Sequence, residues 1–376
     1  MQREKYFNNF RLQCLDVETL SMIQFDRSVA SLKALGLEKE LAGVNRIIAT
    51  GCGDSYLAAI SASGAFAHFL PQVNYEAPYA IDFTRFEPFK EAQPKTLVIG
   101  ISVSGGPSRV VEVLKRGNKY GCLTLGLTDN PDSRVAKAAA HVYHTNTPKG
   151  DNMAGLRTYY ASMISLFVLA AYISELTTGE SRLPQLRAQV EAYRNEVYGS
   201  IDEVDEICFQ TALAWKDKTL FEITADGPLF HTGKFIAAKF AELSGDVCAV
   251  IDSENYFHVN GMMYPGAEIA EMNLLASDED NRERLVEAVN AQAGRDQRAS
   301  MVFCDKAPKA LGIQQNVSHC KLAVPQKSER FLLPLFAYIP GAILASYRAA
   351  VIKEPYFRGG AFTQAMTLSS NPVVIV

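Results

Sequence analysis

The stretch that decides the fold is TLVIGISVSGGPSRVVEVLKRGNKYG, Thr96–Gly121. It begins with a continuous apolar run over Thr96–Ser102, breaks at a Ser/Gly turn and continues as VVEVLK, whose apolar spacing favours a helix. An apolar strand that leads through a glycine turn into a helix is typical of a parallel sheet buried on both faces. The segment therefore predicts an α/β fold.

The same pattern recurs on both sides of this stretch. RIIAT, Arg46–Thr50, ends in the glycine turn GCGDS, Gly51–Ser55, and a helical segment follows. Further apolar runs predict strands at 122–129, 141–145, 219–225, 247–251, 272–277 and 301–305, with helices at 56–69, 231–244 and 331–351 between or after them. Strands that alternate with helices predict two parallel sheets, each flanked by helices in a flavodoxin-like three-layer α/β/α arrangement.

The two sets of strands are separated by residues 151–215, a long helical stretch predicted to be a helix–turn–helix ending near Trp215. A chain of 376 residues is too long for one ordinary domain. We therefore predict a helical lead-in at 1–45, a first domain at 46–200, a second at 201–352 and a tail at 353–376. The halves read as a structural duplication.

Composition limits the classes of partner. The formal net charge of −4 gives the chain no electrostatic reason to bind nucleic acid or anionic membranes. The seven cysteines form neither a CxxC pair nor a cluster with histidine, so no metal or other cofactor is predicted. The odd cysteine count, the apolar surroundings of Cys122, Cys248 and Cys304, and the lack of a signal-peptide pattern predict reduced, buried thiols in a cytoplasmic protein.

The strongest chemical signal is ISVSGGPS, Ile101–Ser108, which opens a helix directly after a strand. A helix N-terminus offers unpaired backbone N–H groups to a phosphate, the three serines of this loop add hydroxyl donors, and its glycines allow close approach. Ser55 follows the neighbouring strand, where α/β folds bind ligands. The alternative is that the Ser/Gly turn only caps the helix.

An apolar strand into G-C-G-x-S, followed about fifty residues later by I-S-x-S-G, resembles the sugar isomerase (SIS) family. The tandem layout is similar to the isomerase half of glucosamine-6-phosphate synthase and to the fructosamine-6-phosphate deglycases. This resemblance implies that the serine loop holds a sugar phosphate. The predicted phosphate-binding residues are Gly53, Ser55, Ser102, Val103, Ser104, Gly105 and Ser108. Asp54 stands where the family often has threonine, and we expect it to face a sugar hydroxyl, a substrate amine or a helix cap.

A second segment, Ala237–Gly261, resembles the family stretch in which a glutamate on a helix works with a histidine sixteen residues later. Glu242 and His258 have that spacing, and Lys239 matches a lysine one helical turn before the glutamate. A carboxylate suits the proton shuttle between C1 and C2 of a sugar phosphate, and an imidazole suits ring opening. The alternatives are a surface Lys239–Glu242 pair and a core histidine.

Two departures from the family concern the substrate. Arg157 lies where the family carries a lysine that lines the sugar site, so it either takes that role or braces the adjacent loop. In the tail, Phe362 stands near the position of the synthase's lysine, and Lys353 lies upstream. The resemblance also implies a homodimer, with the histidine donated across its interface.

The sequence therefore leaves two functions open. The first is an aldose–ketose isomerase or deglycase that acts on a ketose 6-phosphate or its C1-amine adduct through an enediol or enolamine. The second is a non-catalytic sugar-phosphate sensor that uses the same loop without turnover. A nucleotide-dependent dehydrogenase is disfavoured because neither glycine turn reads GxGxxG. The sequence determines neither the hexose nor its C1 substituent.

Overall fold

The computed structural model describes residues 2–86, 89, 91–150, 154–263 and 266–355. Its backbone divides into two compact units. The first unit comprises residues 17–150 and 155–191, and the second comprises residues 2–16, Ala154 and the described chain from Ala192 onward. Compactness alone does not fix the domain limits predicted at 45, 200 and 352, which stay a prediction.

The first unit contains a parallel sheet. Its strands are β1 Arg46–Gly51, β2 Asn74–Glu76, β3 Thr96–Ile101, β4 Leu123–Thr128 and β5 His141–His144. Their order across the sheet is β2-β1-β3-β4-β5, with every pair parallel. This is the flavodoxin-like order, in which the direction of strand addition reverses between β1 and β3. All six residues of β3 are buried, as expected for a central strand.

Two helices precede β1, and one or more helices follow each strand of this sheet. They are α1 Asn9–Lys33, α2 Glu38–Ala42, α3 Asp54–Ser61, α4 Ser63–Phe69, α5 Ala80–Arg85, α6 Ser108–Lys119, α7 Arg134–Ala138, α8 Arg157–Thr178 and α9 Leu183–Tyr198. The buried residues of α6 include Val110, Val113 and Leu114. Val113 packs in one core cluster with Val98 of β3. This packing fixes the start of α6 beside the end of β3.

The second unit contains a second parallel sheet. Its strands are β6 Leu220–Ala225, β7 Val247–Ile251, β8 Ile269–Leu274, β9 Ala299–Cys304 and β10 Ser318–Lys321, in the order β10-β9-β8-β6-β7. Its helices are α10 Ile201–Ala214, α11 Gly227–Ser244, α12 Ser253–His258, α13 Arg282–Asn290 and α14 Ile339–Val351. A π-helical turn, Ala291–Arg295, follows α13.

The two sheets have the same topology. Read from β7, the second sheet has the order β7-β6-β8-β9-β10. Its first strand in the chain, β6, therefore lies between its second and third strands, as β1 does in the first sheet. Corresponding backbone hydrogen bonds also occur directly after β3 and β8. Ser102 N donates to Leu127 O at 3.0 Å, and Leu275 N donates to Phe303 O at 3.0 Å. The prediction of an α/β fold with two parallel sheets flanked by helices is confirmed.

Some predicted elements were wrong in detail. The stretch 151–215 contains three described helices, α8, α9 and α10, rather than a helix–turn–helix. The strands predicted at 272–277 and 301–305 begin two or three residues earlier, as β8 and β9. The predicted helix 331–351 is the 3-10 segment Lys327–Leu335 followed by α14. The tail from residue 356 onward, which includes Phe362, lies outside the described residues.

Two segments are long and apolar enough to cross a membrane by length and composition, Arg157–Thr178 and Lys327–Val351. Within their most apolar windows, 78% and 94% of the residues are buried inside the fold. Core helices of globular proteins have these properties, so the segments are weak evidence for a membrane span. All seven cysteines are free thiols, and Cys248 is partly exposed rather than buried because β7 is an edge strand.

Candidate functional site

The serine loop, residues 102–107, lies between β3 and α6, at the edge of the sheet where the strand order reverses. Ligands of doubly wound α/β folds bind in the crevice at this reversal, outside the carboxyl ends of the strands. The next residue, Ser108, is the first residue of α6. Ser102 is only 4% exposed, whereas Ser104 is open to solvent.

The loop forms hydrogen bonds with itself in a way that orients its hydroxyl groups. Gly105 N donates to Ser102 Oγ at 3.1 Å, and Gly106 N donates to Ser104 Oγ at 3.4 Å. A serine oxygen that accepts from the backbone can still donate its own hydrogen. The exposed hydroxyl of Ser104 can therefore donate to an anion in front of the loop.

Gly105 is the position at which the loop requires glycine. Its φ is +67°, and a Cβ added there would lie 1.9 Å from Ser133 Oγ. The loop is also tied to β4 and the following turn, because Val103 O accepts from Asp129 N and from Thr128 Oγ1, each at 3.2 Å. The predicted binding residues Val103 and Gly105 thus shape and anchor the loop.

The first glycine turn brings Ser55 beside the serine loop. A Cβ at Gly51 would lie 2.6 Å from Ser55 Cβ and 2.9 Å from Ile101 O, so the end of β1, the start of α3 and the end of β3 meet there. Ile101 directly precedes Ser102. Gly53, with φ +55°, precedes α3 and allows the sharp turn.

Sequence reasoning missed Arg134, the first residue of α7. Its Nη1 donates to Gly106 O at 3.3 Å and its Nη2 to Ser108 Oγ at 3.4 Å, so an exposed guanidinium lies against the serine loop. A signal was available: α7 follows β4, and the carboxyl ends of parallel strands lie at one edge of a sheet. The pattern TDNPDSR after β4 could therefore have pointed to this arginine.

Two further residues singled out in the sequence, Arg157 and Asp54, lie close to the chain that leads into α8. A Cβ at Gly150 would lie 2.0 Å from Arg157 Nη1, so the guanidinium covers the backbone of the preceding loop, as the bracing alternative expects. A Cβ at Gly155 would lie 2.8 Å from Asp54 Oδ2. Asp54 is also the first residue of α3, so its carboxylate lies at a helix N-terminus, where negative charge is stabilised.

The second unit brings together two of the three predicted catalytic residues. Lys239 and Glu242 both lie on α11, and Lys239 Nζ donates to Glu242 Oε2 at 2.7 Å. The Lys239 side chain is fully buried, whereas 26% of the Glu242 side chain is exposed. The ammonium also lies 4.7 Å from the centre of the Phe235 ring. A carboxylate fixed by a buried lysine and open on one side can exchange a proton with a bound molecule.

His258 is the last residue of α12 and is not a core histidine. Its side chain is 68% exposed, and its Nε2 lies 3.5 Å from Glu254 Oε1, which is also exposed. The neighbouring apolar residues are exposed as well: Val259 at 59%, Met262 at 76% and Met263 at 38%. The His258 imidazole is therefore accessible to solvent, and the apolar side chains next to it in the sequence are exposed as well.

The end of the second sheet carries different side chains from the end of the first. Leu275 takes the position of Ser102 after the strand. Ser277, three residues after β8 as Ser104 is after β3, donates its hydroxyl to Asp305 Oδ2 at 2.6 Å. Three acidic residues, Asp278, Glu279 and Asp280, follow directly. Carboxylates repel a phosphate dianion, so among the described residues the loop after β3 suits such a ligand better than the loop after β8.

Residues 40–172 match the family model of the SIS domain. This part of the chain therefore resembles a SIS domain. The matched region contains the first glycine turn, the serine loop and the start of α8. The resemblance inferred from the two glycine turns is thus confirmed.

Relatives in sequence are glutamine–fructose-6-phosphate aminotransferases (isomerizing). The protein of Gloeobacter violaceus is 24% identical over 238 residues, 62% of this chain and 36% of its own length. The protein of Clostridium acetobutylicum is 19% identical over 320 residues, 82% of this chain and 50% of its own length. The chain therefore spans about a third to a half of the length of these relatives.

Solved structures confirm the fold over most of the chain. The C-terminal domain of glucosamine–fructose-6-phosphate aminotransferase from Francisella tularensis has a TM-score of 0.79 at 16% identity, covering 92% of this chain and 97% of that domain. Glucosamine-6-phosphate deaminase from Thermotoga maritima has a TM-score of 0.66 at 17% identity, covering 93% of this chain and 97% of the deaminase chain. Most of the chain thus has the same fold as these solved structures.

Proposed function

We propose that the protein binds a ketose 6-phosphate, or its C1-amine adduct, and converts it by moving a proton between C1 and C2. The serine loop is the observation that carries this proposal. It combines the exposed hydroxyl of Ser104, a helix N-terminus and the guanidinium of Arg134 at the reversal of the strand order. A phosphate ester with a charge near −2 is the ligand that these donors suit.

Glu242 and His258 have separate roles in this proposal. Glu242 takes the proton from one carbon and returns it to the other through an enediol or enolamine, and Lys239 orients its carboxylate. His258 serves ring opening or protonates the leaving group at C1, since its exposed imidazole is accessible to a bound molecule. With an amine at C1, the same proton transfer gives an imine at C1, and water then hydrolyses this imine to the aldose 6-phosphate and the free amine, which is the deglycase variant.

The assembly and location are also proposed. His258 lies among the exposed side chains of Val259, Met262 and Met263, and such a surface suits coverage by a second copy of the chain. A homodimer would then share its active site between subunits, as the family resemblance implies. We further propose a cytoplasmic location, because the cysteines are free thiols. A three-layer arrangement in each sheet is likewise part of the proposal.

The phosphate site is tested with the double substitution Ser102→Ala and Ser104→Ala, using calorimetry with fructose 6-phosphate. Loss of a hydrogen bond to a charged group costs about 1.5–3 kcal/mol, so we expect the dissociation constant to rise at least about tenfold. Ser277→Ala is the matched control, because it removes the serine at the corresponding position of the second sheet. Unchanged affinity in the double variant would refute the phosphate site.

Catalysis is tested with Glu242→Gln against fructose 6-phosphate, glucosamine 6-phosphate and fructosamine 6-phosphates. We expect turnover to fall at least about a hundredfold while binding persists, because general acid–base groups contribute about 10²–10⁴-fold. Glu287→Gln is the control, since Glu287 forms a similar i,i+3 ion pair with Arg284 on an exposed helix. If the wild type turns over none of these compounds yet is stabilised thermally by them, the sensor alternative holds.

A further inference from the structure

The face of the second sheet carries two buried carboxylates directly opposite each other. Glu222 on β6 and Glu271 on β8 are register partners, and neither is exposed to solvent. Arg298 Nη1 lies 2.6 Å from Glu222 Oε1 and 2.8 Å from Glu271 Oε2. Two acids and one fixed cation therefore share a dry site, an arrangement that favours retention of one proton.

The structure provides a place for that proton. Burial and the charge of Glu222 raise the pKa of Glu271 to about 8, although Arg298 acts in the opposite direction. Thr224 Oγ1 donates to Glu271 Oε1 at 2.8 Å and accepts from Gln292 Nε2 at 3.0 Å. If this hydroxyl rotates, its oxygen can also accept from a protonated Glu271. Asn273, in register opposite Thr224, has a buried Oδ1 with no hydrogen-bond partner among the described residues. The threonine hydroxyl can turn toward an acceptor of this kind.

The carboxylate pair also holds the chain on both sides of His258. The Asn260 amide donates to Glu222 Oε2, and Arg298 Nη2 donates to Asn260 O. On the other side, the Tyr256 ring is fully buried, with the Arg298 guanidinium 5.0 Å from its centre. His258 itself is exposed and contacts Glu254, so the contacts of residues 256 and 260 set its position.

We propose that Glu222, Glu271 and Arg298 form a proton-dependent latch that positions residues 256–260, and His258 with them. With one proton on the pair, the buried charges balance and Glu222 accepts from Asn260. Loss of that proton leaves two anions against one cation in a dry site, which favours hydration of the cluster and release of the segment. The consequence for catalysis rests on the proposed role of His258; the latch itself does not.

Other groups that face the pair do not titrate in the same range. On α12, the pKa of Tyr256 is raised, mainly by burial and by its bond to Asp296. On β7, desolvation raises the pKa of the Cys248 thiol well above its ordinary value, although the residue as a whole is partly exposed. After the π-helical turn, Asp296 has a lowered pKa because Arg295 and Tyr256 donate to it. A transition near pH 8 therefore belongs to the carboxylate pair.

The latch is tested by hydrogen–deuterium exchange of a peptide covering residues 253–263 between pH 6 and 9.5, corrected for the intrinsic pH dependence of exchange. We expect wild-type protection to fall at least tenfold with a midpoint near pH 8. Glu271→Gln mimics the protonated acid and should keep its protection across this range. Glu112→Gln is the control, because Glu112 is a buried carboxylate of the first unit, paired with Arg85 and Arg109.

A wild-type peptide with constant protection would overturn the proposal, and so would a Glu271→Gln protein with an unchanged midpoint. If Glu271→Gln does not fold, the wild-type profile together with Glu222→Gln, which should also remove the transition, decides the question. None of these measurements needs a substrate. A pH transition in an inactive protein would therefore refute the proposed function and leave the latch standing. In an active protein, kcat should fall with the same midpoint and KM should change little.

Discussion

Arg134 is the charged side chain that hydrogen-bonds to the serine loop, whose own side chains are neutral. The chain as a whole carries a net charge of −4, so attraction of a phosphate depends on cations close to the loop. The guanidinium is exposed, which means that water and salt screen its charge. Its contribution to affinity should therefore be moderate and dependent on ionic strength.

We predict that Arg134→Gln raises the dissociation constant for fructose 6-phosphate about fivefold to tenfold at low salt, as expected for an exposed charge–charge contact of about 1 kcal/mol. The difference from wild type should shrink in 0.5 M salt. Lys137→Gln is the matched control, because Lys137 is exposed on the same helix and has no described bond to the loop. Equal losses of affinity in both variants would show that the net charge of α7 matters and that the contacts of Arg134 with the loop do not.

Residues differ in how far the sequence reveals them. Ser102, Ser104 and Gly105 follow an apolar strand in a recognisable pattern, so the loop could be predicted. Arg134 is separated from it by β4 and is brought close only by the pairing of β3 with β4. Glu222 and Glu271 were not considered as buried residues because carboxylates are rarely fully buried unless paired. Their partner, Arg298, is distant in the chain.

At the scale of elements, the strands of the first unit were predicted within one residue because their apolar runs end at clear turns. The exception is the short edge strand β2; like the edge strand β10 of the second unit, it contains polar residues and has no such run. β8 was placed too late, because Glu271 and Asn273 interrupt its apolar pattern while being buried in the sheet. Polar residues on a buried face conceal a strand from periodicity arguments.

The N-terminal segment is held to the second unit by a buried carboxylate. Asp205 on α10 accepts from Arg11 at 2.7 and 2.8 Å and from Tyr347 Oη of α14 at 3.0 Å, and it is 2% exposed. Removal of the carboxylate would leave Arg11, itself 7% exposed, without this partner. We predict that Asp205→Ala destabilises the second unit by about 3–5 kcal/mol, the usual cost of breaking a buried ion pair.

This loss can be measured by urea unfolding followed with the fluorescence of Trp215, the single tryptophan, which is buried in the second unit. Asp280→Ala is the control, since its ion pair with Lys327 is largely exposed. It should leave the urea midpoint unchanged. An Asp205→Ala midpoint equal to that of the control would mean that the N-terminal segment adds no stability.

At the scale of the whole molecule, the two sheets share one topology but differ in chemistry. The first ends in serines and glycines around a helix N-terminus, whereas the second ends in Leu275 and a run of acidic residues. The second sheet instead carries titratable groups in its interior. The stability of the second sheet should therefore depend on pH, whereas the serine loop has no titratable side chain.

Two groups of the second unit have shifted pKa values that act in opposite directions. Burial, with a contribution from Lys234, lowers the pKa of His231 from 6.5 to about 4, so the unfolded chain binds this proton more tightly and stability rises with pH between these values. Glu271 has its pKa raised from 4.5 to about 8, so the folded chain binds that proton more tightly and stability falls with pH across its range.

Each group changes the free energy of unfolding by at most about 1.4 kcal/mol per pH unit. Between pH 4.5 and 6.5, the increase in stability due to His231 and the decrease due to Glu271 should nearly cancel. Between pH 6.5 and 8, Glu271 acts alone and stability should fall. In Glu271→Gln, stability should instead rise up to pH 6.5 and then stay level, whereas in His231→Gln it should fall from pH 4.5 onward. Urea unfolding monitored by Trp215 resolves these shapes. A Glu271→Gln protein that still loses stability between pH 6.5 and 8 would mean that the proton is held elsewhere.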